Sequence, residues 1–281
     1  MRSKNFIDNK PLLYLVATPI GNLSDVSPRA LEVIKEADII ASEDTRVSGK
    51  LLSFFGIKKT IFSLREHNEK EASLKLIEHI KNGEKAVYMS DAGYPGISDP
   101  GQKLVELALE NDINVSVIPG PCAFLSALTC SGLDSSRFYF HGFLSPKDKE
   151  RRDELEELRE KKETLIFYEA PHRLEKILND LYKVLGDRRI CIARELTKIH
   201  EEYIRINLSE VSSLDYETLK GEFVLVVEGN LNEEESSLND DELISLIKKE
   251  EENGFSSKDA IKIVSQKTKV NKNYLYKIYH R

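Results

Sequence analysis

The chain has 281 residues, which is enough for two domains and a sizeable core. Its net charge of −7 argues against loose, non-specific binding of nucleic acid, although it does not exclude a local basic patch. No apolar run approaches the roughly 18 residues of a membrane span, and residues 1–10 lack the apolar stretch of a signal peptide. Three irregularly spaced cysteines are typical of a reduced, cytoplasmic protein and give no metal signature.

The first 130 residues alternate between strand and helix patterns. Strand patterns occupy residues 12–16, 38–41, 61–64, 86–89 and 115–118. Helix patterns follow them at residues 28–36, 45–55, 68–81, 102–111 and 124–130. Asp99 and Pro100 indicate the start of the fourth helix, with the aspartate as N-cap and the proline at the first helical position. This regular alternation predicts a largely parallel sheet covered by helices.

Two loops of the predicted sheet are rich in glycine and proline. Residues 90–101 read Ser-Asp-Ala-Gly-Tyr-Pro-Gly-Ile-Ser-Asp-Pro-Gly, which is about twice the length of an ordinary connection of roughly two to six residues. Pro-Gly-Pro-Cys-Ala follows the next strand at 119–123. Both loops lie at carboxyl ends of strands, where α/β sheets bind ligands, and neither matches a dinucleotide-binding or P-loop motif. We interpret them as ligand loops, and the alternative is a pair of ordinary turns.

The pattern changes near Leu133, where we place the boundary between domains 11–132 and 133–230. Strand patterns now occupy residues 138–143, 164–169, 189–194, 203–208 and 223–228, and helix patterns occupy 147–162 and 171–185. The first of these helices is highly charged, so we expect it to be mostly solvated. The third and fourth strands are close enough in sequence to form an antiparallel pair. The second domain is therefore predicted to be α/β with a mixed sheet.

The end of the chain, residues 242–281, is predicted to be a separate helical tail. Residues 258–281 contain seven basic residues and one acid, with three tyrosines among them. The linker before the tail carries Glu233, Glu234 and Glu235, which indicates mobility rather than packing. Basic residues opposite phosphates release counterions, and tyrosines stack on unpaired bases. The tail is predicted to help capture RNA, and the alternative is a solvated helical appendage. Its candidate RNA-binding residues are Lys258, Lys262 and Lys272.

Polar and ionisable residues follow strand after strand of both predicted domains. These runs lie at residues 17–25, 43–46, 67–69, 169–173 and 194–198. Each run alone is more readily explained by helix capping, since threonine, aspartate and asparagine are common N-caps. Together they line the carboxyl edges of the sheets, where a ligand cleft is expected.

Six segments occur in an order and spacing that resemble the tetrapyrrole-methylase superfamily. They are Ala17–Leu23, Glu43–Arg46, Ser90–Gly101, Pro119–Ala123, Phe167–Arg173 and Ala193–Lys198. The resemblance covers about residues 11–230. The tail is similar to the short C-terminal unit of one subfamily, the bacterial 16S ribosomal RNA methyltransferases that act on the ribose 2′-hydroxyl of a decoding-centre cytidine. The resemblance implies two α/β domains with S-adenosylmethionine in the cleft between them, a homodimer, and 16S rRNA or the small ribosomal subunit as substrate.

Transferred position by position, the resemblance implies ten contacts to S-adenosylmethionine. They come from the two loops and from two strands of the second domain, at Asp91, Ala92, Gly93, Tyr94, Pro119, Gly120, Cys122, Ala123, Tyr168 and Ala193. Two positions depart from the superfamily pattern. Tyr94 stands where relatives often carry threonine, and Cys122 replaces a common serine by a weaker hydrogen-bonding group.

Methyl transfer to a ribose hydroxyl requires alignment of the hydroxyl with the methyl donor and removal of the hydroxyl proton. The cofactor supplies the electrophile and the leaving group, and no metal is implied. Five residues are candidates for the general base, namely Glu43, Asp44, His67, Glu169 and Lys198. Three arginines are candidates for holding RNA phosphates, namely Arg46, Arg173 and Arg194.

Three other functions compete with this interpretation. A tetrapyrrole carbon methylase would share the two cofactor loops, but it should lack the basic tail and the Glu-Asp-Thr-Arg run at 43–46. A diphthine-type methylase, which modifies a protein, should lack the tail as well. An RNA-binding module without enzymatic activity would not need the cofactor loops. The tail and cofactor binding are therefore the features that discriminate among these alternatives.

Overall fold

A computed structural model describes residues 4–7, 10–231, 238–268, 270 and 272–280 of the chain. The chain divides into two compact units, residues 1–229 and 230–281, and the second contains the predicted tail. The linker residues Glu233, Glu234 and Glu235 lie outside the described residues. In the described part of the chain, no helix is long and apolar enough to cross a membrane.

Five strands form the first sheet of the larger unit: β1 (Leu12–Val16), β2 (Ile39–Ser42), β3 (Ile61–Ser63), β4 (Ala86–Met89) and β5 (Asn114–Ile118). They are parallel and lie in the order β3-β2-β4-β1-β5. The helices that connect them are α1 (Pro28–Glu36), α2 (Thr45–Phe54), α3 (Glu69–Lys81) and α4 (Gln102–Glu110). The predicted parallel, helix-covered sheet is confirmed.

Helices cover both faces of this sheet. Ile34 of α1 and Leu52 of α2 belong to the apolar core on one face, whereas Leu76 of α3 and Leu104 of α4 belong to the core on the other face. The chain therefore leaves β1 toward one face and leaves the neighbouring strand β4 toward the opposite face. This divergence opens a crevice at the carboxyl ends of the two strands, where α/β sheets bind ligands.

The second sheet contains β6 (Phe138–Phe143), β7 (Thr164–Glu169), β8 (Arg189–Arg194), β9 (Glu202–Asn207) and β10 (Phe223–Val227). Their order is β6-β7-β10-β8-β9, and β6 is parallel to β7 whereas the other pairs are antiparallel. The predicted mixed sheet is confirmed, including the antiparallel pair of β8 and β9. The boundary predicted near Leu133 lies between the strands of the two sheets.

Three helices pack on the second sheet. They are α5 (Ala123–Ser131), α6 (Asp148–Leu158) and α7 (Leu174–Leu185). Ala127 and Leu128 of α5 contribute to the core on one face, and Leu155 of α6 and Ile177 of α7 contribute to the core on the other. The second predicted loop therefore leaves β5 of the first sheet and leads into α5, which packs on the second sheet.

The start of α4 differs from the prediction. Gly101 is the N-cap instead of Asp99, and the helix begins at Gln102. Glu69, from α3, supplies the missing acceptor, because its Oε1 accepts hydrogen bonds from the N–H groups of Gly101 at 2.8 Å and Lys103 at 3.1 Å. These donors belong to the first turn, which lacks acceptors within the helix. Asp99 therefore does not cap α4.

Helix α6 is shorter than predicted, and most of its residues are exposed, as expected from its charge. One charged residue is an exception. Arg151 in its first half is only 1% exposed. Its Nε and Nη2 donate to Asp180 Oδ2 of α7 at 2.9 and 2.6 Å. A buried charge requires such a partner, and the charge content of the segment did not reveal it. Residues 171–173, which were predicted to begin α7, form a separate 3-10 turn before it.

The smaller unit contains three helices, α8 (Asp240–Glu252), α9 (Ser257–Thr268) and α10 (Lys272–Tyr279), which agree with the predicted helical tail. Their apolar faces form a core of their own, which includes Leu243, Ile261 and Leu275. Ser256 caps α9, since its Oγ accepts a hydrogen bond from the Asp259 N–H at 3.2 Å.

Candidate active site

The loops that follow β1 and β4 are joined at the carboxyl edge of the first sheet. The Thr18 N–H donates to Gly93 O at 2.9 Å, and the Gly93 N–H donates to Thr18 O at 3.0 Å. The Thr18 hydroxyl donates to Ser90 O at 3.2 Å, and the Ser90 hydroxyl donates to Gly93 O at 3.1 Å. These bonds satisfy polar groups that are buried at the crevice, and they hold the first predicted loop, residues 90–101, in place.

The second predicted loop, residues 119–123, packs against the loop after β1 at Gly120. A Cβ added to Gly120 would lie 3.0 Å from Ala17 Cβ and 3.1 Å from Ala17 O. Only glycine allows such a close approach of two backbones without a shift. The Gly120 N–H donates to the Tyr94 hydroxyl at 3.3 Å. The side chain of Tyr94 therefore ties the two predicted cofactor loops together.

A cleft of about 320 Å³ is lined by residues that follow strands of both sheets. This volume lies in the range of roughly 300–1,000 Å³ that is usual for small-molecule sites. Six of the ten predicted cofactor residues line it, namely Ala92, Gly93, Tyr94, Cys122, Ala123 and Tyr168. The sequence prediction thus identified residues from both loops and from β7 that the fold brings to one cleft.

Three carboxylates line the cleft, namely Asp99, Glu169 and Glu222, and the last of these is exposed and pairs with Lys198. Burial, together with the negative charges of Glu43 and Asp91, raises the pKa of Asp99 to about 7. Asp99 was missed as a site residue because its sequence pattern matched a helix cap. A carboxyl group with a pKa near neutrality in a cleft is suited to accept and release a proton.

Burial also raises the pKa of Glu169, although the Ala170 N–H and the charge of Arg173 oppose this shift. Glu169 Oε1 accepts a hydrogen bond from Ala170 N–H at 2.8 Å and lies 3.3 Å from Arg173 Nε. Glu169 Oε2 is buried and has no hydrogen-bond partner among the described residues. A buried, unpaired acceptor is unusual in proteins, so Oε2 is available for a donor on a bound ligand.

The remaining predicted cofactor residues do not line the cleft; they are Asp91, Pro119, Gly120 and Ala193. Asp91 Oδ1 accepts a hydrogen bond from the Asp44 N–H at 2.9 Å, and Asp91 lines a neighbouring cavity of about 500 Å³. Ala193 is buried in the apolar cluster that also contains Tyr168. Asp91, Gly120 and Ala193 are thus placed to support the elements that form the cleft.

Among the five candidates for the general base, Glu169 is the residue that lines the cleft. Glu43 follows β2, and burial raises its pKa. Asp44 is the N-cap of α2, and hydrogen bonds from Arg46 hold its pKa well below the usual range. His67 is exposed in the turn that precedes α3. The structure therefore does not bring these candidates together.

Lys198, the fifth candidate, joins the loop after β8 to the loop after β1. Its Nζ lies 2.8 Å from a carboxylate oxygen of Glu195 and 3.0 Å from one of Glu222. Burial lowers the pKa of Lys198, but the two hydrogen bonds outweigh burial and leave the pKa raised. A Cβ added to Gly21 would lie 2.5 Å from Lys198 Cγ, so the stem of the lysine packs on Gly21. Lys198 is thus a protonated link between two loops.

The three arginines predicted to hold phosphates are paired within the chain. Arg46 Nε donates to both carboxylate oxygens of Asp44 at 3.0 and 3.1 Å, while 81% of the Arg46 side chain remains exposed. Arg173 and Arg194 are mostly buried and donate to main-chain carbonyl groups. Arg46 therefore retains the most surface for contact with a phosphate.

The predicted RNA-binding lysines lie on two helices of the smaller unit. Lys258 and Lys262 are exposed on α9. Lys272 begins α10, and its Nζ lies 5.8 Å from the ring centre of Tyr276. Two of the three tail tyrosines donate their hydroxyl groups to carboxylates of α8. The tyrosines thus take part in the packing of the tail itself.

The residues of the cleft fit S-adenosylmethionine. Its flat adenine suits the apolar walls and the ring of Tyr168, and the unpaired Oε2 of Glu169 can accept a hydrogen bond from a hydroxyl or ammonium group. Cys122 is the N-cap of α5 and lines the cleft, and the first-turn N–H groups of Phe124 and Leu125 lie close enough to its thiol to lower the pKa of Cys122. Burial raises the pKa of Cys122 and outweighs this effect, which keeps the thiol neutral. No group of His, Cys, Asp or Glu in the described ranges is placed to hold a metal ion.

Comparison with known proteins identifies the family. Residues 12–212 match the family of Tetrapyrrole (Corrin/Porphyrin) Methylases. The chain is 47% identical to the ribosomal RNA small subunit methyltransferase I of Halalkalibacterium halodurans, with 98% of this chain and 96% of that protein covered. Proteins of the same name from Bacillus subtilis and Haemophilus influenzae are 43% and 46% identical, covering 96% and 94% of this chain and 94% and 95% of those proteins.

Crystal structures of other methyltransferases share the fold. The methyltransferase CobJ gives a TM-score of 0.60 at 18% identity, covering 78% of this chain and 94% of that chain. The uroporphyrin-III-C-methyltransferase from Thermus thermophilus gives a TM-score of 0.55 at 15% identity, covering 77% and 94%. Sequence, fold and cleft agree, and the chain belongs to the tetrapyrrole methylase family and is an S-adenosylmethionine-dependent methyltransferase.

Proposed function

We propose that this protein transfers a methyl group from S-adenosylmethionine to the ribose 2′-hydroxyl of a decoding-centre cytidine in 16S rRNA of the small ribosomal subunit. The observation that carries this proposal is the cleft where both predicted cofactor loops meet the carboxylates of Asp99 and Glu169. Relatives that match nearly the whole chain and are named as small-subunit rRNA methyltransferases support the class of substrate. The choice of the cytidine and of its 2′-hydroxyl rests on the resemblance of the motifs.

The cofactor is held by the cleft-lining members of the predicted set, Ala92, Gly93, Tyr94, Cys122, Ala123 and Tyr168. Bound there, it supplies the methyl group and the sulfur leaving group. Glu169 Oε2 would accept a hydrogen bond from the cofactor, and Tyr94 ties the two loops together through the Gly120 N–H. Asp91, Pro119, Gly120 and Ala193 act indirectly, by positioning these elements.

Asp99 is the general base of the proposed reaction. With a pKa of about 7, its carboxylate form is accessible near neutral pH. A carboxylate oxygen of Asp99 would take the proton of the ribose hydroxyl, so that the oxygen could receive the methyl group while the bond between sulfur and the methyl carbon breaks. Glu169 is held by Arg173 and is assigned to binding. Asp44 has a low pKa and Lys198 a raised one, so neither is suited to accept a proton near neutrality.

The proposed location is the cytoplasm, where ribosomal subunits are assembled. The proposed oligomeric state is a homodimer, which the resemblance to the superfamily supports. Contacts to RNA phosphates are assigned to the exposed basic residues Arg46, Lys258 and Lys262 and to the half-buried Lys272. Arg173 is assigned to a structural role, because it donates to Leu144 O and pairs with Glu169. Arg194 is assigned to a structural role because only 16% of its side chain is exposed and its Nη1 donates to Thr218 O and lies 3.4 Å from Glu202 Oε2, although its buried Nε has no partner among the described residues.

Transfer of label and mapping of the modified nucleotide test the proposed function together. Labelled S-adenosylmethionine is offered with small ribosomal subunits, with naked 16S rRNA and with a porphyrinoid, and the rRNA of a deletion strain is mapped by mass spectrometry. We expect label in the RNA as a ribose-methylated cytidine, and loss of that methyl group in the deletion strain with recovery on complementation. A ribose methyl group that is fully retained in the deletion strain would contradict the proposal, and label in the porphyrinoid would favour the tetrapyrrole methylase alternative.

A further inference from the structure

Strand β6 ends in an aromatic side chain that is exposed at the cleft. Phe143 is 55% exposed and lines the cleft. Ile97, in the loop 90–101, is 43% exposed and lines the same cleft. Single exposed apolar residues are common on protein surfaces, but two that border one ligand cleft form a contact surface. A small bound cofactor does not require so much exposed apolar surface.

A β-bulge places the end of β6 against the loop that carries Asp99. The pairing of β6 with β7 shifts between Phe140 and Gly142. Gly142 has a φ of +83°, which is favourable for glycine and strained for other residues. A Cβ added there would lie 3.3 Å from Ser98 Oγ. Bulges beside active sites re-aim side chains, and this one lies against Ser98, so that Phe143 lines the same cleft as Asp99.

The ring of Phe143 is the outermost member of a row of aromatic rings. Phe124 and Phe140 are stacked with ring centres 4.5 Å apart, and Phe140 lies 5.1 Å from Tyr168. Tyr168 in turn lies 5.6 Å from Phe143, with the two rings inclined by 59°. The inner rings are partly buried and fix Tyr168, which supports Phe143 from one side. Phe143 is thus held in position while much of its surface remains open.

We infer that Phe143 and Ile97 form the platform on which the nucleobase of the target nucleotide lies. This inference rests on the proposed function, because it requires an RNA substrate. A ribose that reaches Asp99 in the cleft must belong to a nucleotide whose base is unpaired and drawn out of the RNA stack. Aromatic side chains bind such bases by stacking. The platform therefore orients the ribose hydroxyl by holding the base that is attached to it.

The test separates RNA affinity from cofactor affinity in full-length variants. Phe143→Ala removes the ring, Phe143→Leu keeps an apolar side chain of similar bulk, and Phe143→Trp keeps a stacking surface. Phe138→Ala is the matched control for loss of an aromatic ring from the same row, since Phe138 is on the same strand, is 40% exposed and has its ring centre 6.2 Å from that of Phe124, but does not line the cleft. The KM for small ribosomal subunits is measured by transfer of labelled methyl groups, and the Kd for S-adenosylmethionine is measured by calorimetry.

Loss of base stacking should raise the KM of Phe143→Ala for ribosomal subunits by about 5- to 150-fold. Phe143→Leu should show most of this increase, whereas Phe143→Trp and Phe138→Ala should remain near the wild-type KM. The Kd for S-adenosylmethionine should be unchanged in all four variants. If Phe143→Ala does not fold, the contrast between the leucine and tryptophan variants still decides the question.

Weaker cofactor binding with an unchanged KM for subunits would assign the ring to the cofactor and overturn the inference. Equal effects of leucine and tryptophan at position 143 would also overturn it, because only tryptophan retains a stacking surface. If the wild-type enzyme is active on subunits and the Phe143 variants match it, the inference alone fails. If the wild-type enzyme transfers no methyl group to subunits, the proposed function fails, and the inference fails with it.

Discussion

Replacement of Asp99 by asparagine tests the proposed proton acceptor. The pKa of Asp99 is raised to about 7, so the wild-type rate of methyl transfer should rise with pH through neutrality and level off above about pH 8. Asparagine cannot accept the proton. We therefore expect Asp99→Asn to lower kcat by about 10²- to 10⁴-fold, to abolish this rise with pH, and to leave the Kd for S-adenosylmethionine little changed.

The same substitution should stabilise the fold in a pH-dependent manner. The pKa of Asp99 rises from the ordinary 3.8 to about 7, mainly through burial. Between these values the folded protein binds more protons than the unfolded chain, so its free energy of unfolding falls as the pH rises, and the loss is complete above about pH 7. A pKa difference of about 3 corresponds to about 4 kcal/mol. Solvent screening at this partly exposed carboxylate reduces the expected loss to about 2 kcal/mol.

Urea unfolding of the wild-type protein and Asp99→Asn at about pH 4 and about pH 8 measures this difference. The variant should have no clear advantage at the lower pH and should be more stable by about 2 kcal/mol at the higher pH. Asp153→Asn, at an exposed position of α6, is the control and should show no such pH dependence. An advantage that is equal at both pH values would refute the argument from burial. Full kcat in Asp99→Asn, with loss of activity in Glu169→Gln, would transfer the role of base to Glu169.

Two further predictions concern the cofactor loops and the tail. Gly120→Val should weaken binding of S-adenosylmethionine by more than about tenfold, because its side chain collides with Ala17. Gly93→Val should also weaken binding, because Gly93 has a φ of +74°. Gly49→Val, whose side chain meets open space on α2, is the control and should bind normally. Equal affinities of all three variants in calorimetry would contradict the assignment of the loops. Removal of residues 230–281 should leave cofactor affinity normal, weaken binding of small ribosomal subunits and flatten its salt dependence, because fewer phosphates are neutralised. An unchanged salt slope would make the tail a structural element.

The sequence predicted the two sheets because their strands carry strong local signals. Buried parallel strands appear as short, continuous apolar runs, and Ala86–Met89 is fully buried as such a run. The cleft was predictable for a related reason, since loop 90–101 is too long and too rich in glycine and proline for a simple connection. Local composition therefore identified the loops, and the parallel topology accounts for their convergence.

The roles of individual charged residues were not predictable in the same way. Arg46 and Arg151 look alike in sequence, yet 81% of the Arg46 side chain is exposed and 1% of the Arg151 side chain is exposed. The difference depends on Asp180, which lies 29 residues beyond Arg151 and reaches it through the packing of α7 on α6. Whether an arginine is available to a phosphate is thus decided by partners that are distant in sequence.

Asp99 shows how a residue that departs from its predicted role as a helix cap can acquire a pKa near neutrality. Had Asp99 capped α4, backbone N–H donors and the positive end of the helix would have lowered its pKa. Glu69 takes that position from a distance of 32 residues, by accepting a hydrogen bond from the Gly101 N–H. Asp99 is left with burial and the nearby charges of Glu43 and Asp91, and all three raise its pKa. The departure from the capping pattern and the pKa of Asp99 near neutrality therefore have one cause: Glu69, and not Asp99, accepts the hydrogen bonds at the N-terminus of α4.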